Sequence, residues 1–170
     1  MTGNLINCYH PFEFSVVGVA QWLIRKLTGG ADHTAILMES VGEVHVIEAS
    51  YPLGGVVMLD WDEWNKLHKG VRYTISKPIY EGFDERRFKH TLKGQIGLKY
   101  DLKAVLWDMV LLLGTKKWFG STDNGKADER FFCSELAMYV HKRDNWFRMM
   151  PVDVENHPDF VNDRDYVTTR

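Results

Sequence analysis

A chain of 170 residues with 45% hydrophobic and 13% aromatic content suffices for one domain with a filled core, which excludes intrinsic disorder. Lysine and arginine number 21 against 23 aspartates and glutamates, a formal net charge of −2 that leaves no broad basic surface for nucleic acid or anionic lipid. The apolar-rich stretches at 14–27 and 104–113 fall short of about 18 continuous apolar residues, and the first eight residues lack a basic-then-apolar leader, so the expectation is no membrane span and a cytoplasmic location.

Val16, Val17, Ala20, Leu23, Ile24 and Leu27 recur at helical spacing and Gly29-Gly30 follows, which predicts a helix over 15–27. Residues 33–38 and 43–49 are short β-rich runs flanking Ser40-Val41-Gly42-Glu43, the pattern of a hairpin. Further strands are expected at 56–59 and 71–75, with a short helical or turn connection at Asp62-Glu63-Trp64. Together these predict an antiparallel sheet. Asp84 can cap a helix that carries Phe88, Leu92 and Ile96 on one face and ends at Gly97, and Asp101 can start another through Ala104, Val105, Trp107, Leu111 and Leu112. Between Gly114 and Asp128 the chain is rich in Gly, Lys and Asp yet holds Trp118 and Phe119, which predicts a wall or lid of a substrate cleft. A helix begins at Cys133, and the tail after Pro151, with its prolines and acids, is expected to pack loosely as extended chain.

Closing the hairpin through Val41-Gly42 pairs Ser40 with Glu43, His33 with Ser50 and Ala35 with Glu48. That register makes His33 and Glu48 diagonal neighbours on one face, roughly 7–8 Å apart at the backbone. A carboxylate reaches an imidazole from there, whereas a one-residue slip would turn Glu48 to the opposite face. Glu48 accepting from one ring nitrogen would fix the His33 tautomer and leave the other nitrogen for a nucleophile. Cys133 is the candidate: it stands in Phe131-Phe132-Cys133-Ser134-Glu135, where an apolar run turns into a helix, and a helix start favours thiolate and can hold an oxyanion. The spacing of Cys133, Leu136, Ala137 and Val140 is equally that of a buried helix face. Cys8 and Cys133 are both read as thiols. His45 falls on the other hairpin face, and His10, His68, His90, His141 and His157 receive no role.

The ordered set Asp32-His33-Thr34-Ala35-Ile36, Val46-Ile47-Glu48-Ala49, Gly97-Leu98-Lys99-Tyr100-Asp101 and Phe132-Cys133-Ser134-Glu135-Leu136 resembles the circularly permuted branch of the NlpC-type, papain-like cysteine hydrolases, the YiiX/YaeF-like group. The likeness runs from the first expected strand to Pro151. It implies a single α+β domain with an antiparallel sheet packed against helices that include the Cys133 helix. It also implies Cys133 as nucleophile, His33 as base, Glu48 as orienter, and Tyr100 near the thiol to orient substrate or the oxyanion. The expected activity is that of an amidase or peptidase-type thiol hydrolase without cofactor or metal, acting on a peptide-like, amino-acid or lipid-amide small substrate. One departure stands out: the family often opens with Gly-Asp before its first strand, where this chain has Leu5-Ile6-Asn7-Cys8-Tyr9-His10-Pro11. The alternative is a non-catalytic binding module of the same fold for a peptide, lipid head group or metal. For zinc, Cys133, His33 and Glu48 would supply only three ligands and no close-spaced pair.

Overall fold

The structure, a computed structural model, describes residues 1–115 and 130–167. Eight strands, β1 (Leu5–Tyr9), β2 (His33–Ser40), β3 (Glu43–Ser50), β4 (Gly55–Asp60), β5 (Arg72–Pro78), β6 (Lys99–Tyr100), β7 (Arg130–Phe131) and β8 (Phe160–Val167), form one sheet in the order β7-β6-β4-β3-β2-β1-β5-β8. The sheet is mixed rather than purely antiparallel, because β7 lies parallel to β6. A parallel neighbour cannot be reached by a tight hairpin turn, and β6 and β7 are far apart in the sequence.

The β2–β3 hairpin has the register that closure through Val41-Gly42 requires, with Ser40 opposite Glu43 and Ile36 opposite Ile47. Both turn residues take positive φ, 53° at Val41 and 80° at Gly42, as a two-residue turn matched to strand twist demands. A β-branched residue rarely adopts this conformation, and Val41 does so fully exposed, where its side chain meets no neighbour.

Strand β1 was not expected, and it lies in the interior of the sheet between β2 and β5. Leu5 enters one core while Ile6 and Cys8 enter the other. Burial on both faces removes the apolar–polar alternation by which a half-exposed strand is read. Asn7, buried within the strand, donates to Ser76 Oγ at 2.9 Å, and Ser76 donates on to Asn162 at 2.7 Å, a polar ladder across β1, β5 and β8.

Six α-helices are present among the described residues. The helix expected over 15–27 is α1 (Val16–Thr28), where Ser15 accepts from the Gly18 N–H and Gly29 closes the end at φ 79°. The Asp62-Glu63-Trp64 connection is α2 (Trp61–Leu67). Asp84 caps α3 (Glu85–Lys93), which stops at Gly94 rather than Gly97. The stop is early because the Gly97 N–H is bound to the Val56 carbonyl, which draws the chain off the helix and into β6. Asp101 accepts from the Ala104 N–H at the start of α4 (Leu102–Thr115), followed by α5 (Cys133–Val140) and α6 (Pro151–Glu155).

Two apolar layers result. On one face Leu5, Ile36, Met38 and Ile47 pack against Phe88 and Leu92 of α3 and Leu136, Met138 and Val140 of α5. On the other, Ile6, Ala35, Leu37 and Val46 surround Trp64 of α2. Each fully buried large side chain of this kind contributes about 1.5–3 kcal/mol. The tail after Pro151 is not loose. Val154 of α6 and Phe160 of β8 are core residues, and β8 pairs antiparallel with β5 from Arg72 to Pro78. Its acids and prolines suggested solvent, but the open edge of β5 offers backbone partners that no local pattern reveals. No helix among the described residues is long and apolar enough to cross a membrane.

Candidate active site

His33 begins β2 and Glu48 lies near the end of β3, so the hairpin register sets them diagonally on the face covered by α2. Nε2 of His33 lies 2.9 Å from Oε2 of Glu48, and both residues are buried. The indole N–H of Trp64 donates to the same carboxylate oxygen at 3.1 Å. Burial by itself would raise the Glu48 pKa, but the His33 hydrogen bond, the nearby imidazoles and Trp64 outweigh it and hold the carboxyl down at about 2. For His33 burial acts downward, and the facing Cys133 and Glu48 outweigh it, moving the imidazole well above its usual range.

Cys133 is the first residue of α5, with the Phe132 N–H turned toward Glu135 Oε2 at 3.4 Å. Its thiol faces the His33 ring as a hydrogen-bonding and charge partner. Because Nε2 is engaged with Glu48, Nδ1 is the nitrogen left for sulfur. Tyr100 reaches this point through a tight backbone contact. A Cβ at Gly55 would sit 2.1 Å from the Leu98 carbonyl oxygen, so only glycine lets β6 lie against β4 here. Burial, then the neighbouring Cys133 and acidic residues, push the Tyr100 hydroxyl well above its ordinary pKa, so it stays protonated and able to donate.

Cys133, His33, Glu48 and Tyr100 all line one cavity of about 550 Å³. Its walls are largely aliphatic, from Val17, Ala20 and Ile24 of α1 and Leu102, Val105 and Leu106 of α4. Trp118 and Phe119, the expected lid residues, lie outside the described residues.

Three further residues join the site that the sequence did not single out. Asp32, buried, accepts from the His10 backbone N–H at 2.9 Å and meets His10 Nδ1 at 2.6 Å, which holds that ring 5.8 Å from His33. His68 stacks on Trp64 at 4.4 Å and brings Nε2 to 3.5 Å from Glu48 Oε2. Burial lowers its pKa against the pull of Glu48. The i,i+4 spacing of Trp64 and His68, the residue that closes α2, was a usable signal, because it puts both on the face that meets the hairpin. The His10–Asp32 pair had none. Among the described residues the donor atoms gathered closely enough to share a metal ion belong to His33, Glu48 and His68, a set without Cys133.

Cys8 offers an internal control. It is fully buried opposite His33 on β1, and burial together with the Glu48 and Asp32 charges pushes its thiol well above the usual range. Iodoacetamide is therefore expected to modify Cys133 at least ~10-fold faster than Cys8 in the folded protein, with the difference erased by denaturant. Peptide mapping after timed quenching measures both rates, and equal native rates would count against an activated Cys133. No protein-family model and no curated protein matches the chain, so the case for a function rests on this geometry.

Proposed function

We propose that the chain is a cytoplasmic thiol hydrolase of the permuted, papain-like NlpC type that cleaves an amide or related acyl bond. The observation that supports this most is His33 in the cavity wall with two partners, Glu48 at its Nε2 and Cys133 as a second hydrogen-bonding and charge partner. Glu48 holds hydrogen on Nε2 and favours the charged ring, so in the reactive state Nδ1 carries the thiol proton and Cys133 stands as a thiolate. The Cys133 sulfur then attacks the acyl carbon, and the oxyanion is met by N–H groups at the start of α5 and by the Tyr100 hydroxyl. Protonated Nδ1 returns its hydrogen to the leaving amine or alcohol as the thioester forms. Water, deprotonated by the same nitrogen, attacks the thioester to free the acid and restore the thiol. The aliphatic walls of α1 and α4 suit an apolar acyl or side-chain portion of the substrate.

The test is an electrophilic acylating probe with an apolar acyl group, incubated with the full chain and mapped by mass spectrometry. One adduct on Cys133, absent after denaturation or in His33→Ala, is the expected result. A folded protein that forms no adduct, or labels at lysines instead, argues for the binding-module alternative.

A further inference from the structure

His68 is not used by the thiol reaction, yet it points into the site. Its Nδ1 lies 3.1 Å from the Trp64 carbonyl oxygen. A carbonyl only accepts, so Nδ1 carries the hydrogen and the neutral ring presents its lone pair at Nε2. That nitrogen is 3.5 Å from Glu48 Oε2, and His33 Nε2 lies 2.9 Å from the same oxygen. Two imidazole nitrogens and a carboxylate oxygen thus converge, all within 4.8 Å of one another. The second oxygen, Glu48 Oε1, is buried without a hydrogen-bond partner among the described residues. A buried carboxylate oxygen without a hydrogen-bond partner is costly, and a cation held by this cluster would offset that cost.

We propose that His33, Glu48 and His68 form a binding site for a divalent metal ion of the zinc class. The donor set is two imidazoles and a carboxylate, the borderline nitrogen and oxygen ligands that such ions take with a fourth position left open. Tetrahedral bonds of about 2.0–2.1 Å place ligand atoms roughly 3.3 Å apart, and the two measured separations lie on either side of that value. The outer contacts are of the right kind as well. The Trp64 carbonyl orients the His68 N–H, and the stack on the Trp64 ring fixes its plane.

Occupation would have a chemical consequence for the proposed thiol reaction. A bound ion takes the Nε2 lone pair of His33, so the hydrogen of the neutral ring moves to Nδ1 and the ring can no longer accept the Cys133 proton. Metal binding and thiol acid–base catalysis exclude each other at this histidine. The consequence rests on the thiol reading, whereas the site itself does not.

The full chain, stripped of metal by chelation, is titrated with cobalt(II) and followed by visible absorption. About one equivalent should bind with the intense ligand-field bands of a four-coordinate ion. His68→Phe keeps the stack on Trp64 but removes the donor, and should weaken binding by more than ~100-fold. Glu48→Gln keeps the hydrogen bond to His33 and should weaken it comparably, a second reading should His68→Phe fail to fold. Cys133→Ala should bind within about 3-fold of the parent. No saturable cobalt binding, binding unaffected by His68→Phe and Glu48→Gln, or a thiolate-to-cobalt band that vanishes with Cys133 would each overturn the site. Failure of the acylating probe on Cys133 with intact cobalt binding would remove the thiol reading and leave the metal site standing.

Discussion

Cys133→Ser and His33→Ala are each expected to lower acylation at residue 133 by about 10³-fold or more, because either change removes a participant in the proposed proton transfer. Glu48→Gln should behave differently. A glutamine carbonyl oxygen can accept from both His33 Nε2 and the Trp64 indole, the two bonds that Glu48 makes at 2.9 and 3.1 Å. The ring stays positioned while the charge that favours its protonated form is lost, so a decline of roughly 10–100-fold is expected. The double change His33→Ala with Cys133→Ser should cost little more than either alone, since residues acting as one unit are strongly non-additive. Single-turnover rates with the acylating probe measure the series. Multiplicative losses, or full activity in Glu48→Ala with the fold intact, would show that the three residues do not act together.

A second large effect concerns His141, at the end of α5. The ring is buried among Phe83, Phe88 and Phe160, and its Nδ1 accepts from the Tyr80 hydroxyl at 2.8 Å. Burial, with smaller contributions from the Arg143 and His157 charges against a backbone contact from Gly3, lowers its pKa to about 3. The unfolded chain takes up this proton near pH 6.5 and the folded chain does not, so the stability from neutral His141 is complete above pH 6.5. It is lost as pH falls toward 3. At about 1.4 kcal/mol per pKa unit the full loss is about 5 kcal/mol, of which about 2.7 kcal/mol is gone by pH 4.5. His141→Gln retains an acceptor for Tyr80 but does not titrate. Urea unfolding at pH 7 and pH 4.5 should therefore show a smaller pH dependence in the variant by about that amount. Equal slopes in the two proteins would mean that His141 is already charged in the fold.

The parts of this molecule that could be read from its sequence are those fixed by short-range rules. The β2–β3 register follows from two turn residues, and with it the meeting of His33 and Glu48, because the two lie only fifteen residues apart on one hairpin. The start of α5 follows from helical spacing after Phe131-Phe132. What escaped depends on distant partners. Leu5 and Ile6 are buried on opposite faces, so β1 lacks the periodicity that marks a strand. β8 exists because β5 has an edge to fill, and Asp32 meets His10 through a loop rather than through any spacing rule. His68 received no role from the sequence, because only the packing of α2 against the hairpin brings it to Glu48.

The interior position of β1 governs the order in which this protein can be assembled. Residues 5–9 are made before every other strand, yet they must wait for Arg72–Pro78, since Leu5 pairs with Ser76 on one side and with Ile36 on the other. Among the described strands only β1 stitches the β5–β8 pair to the rest of the sheet. Such a seam closes late, after a long stretch of chain has surrendered its freedom, and it makes partial structures poor substitutes for the whole. The hairpin bearing His33 and Glu48 and the helix bearing Cys133 therefore meet only in the completed chain.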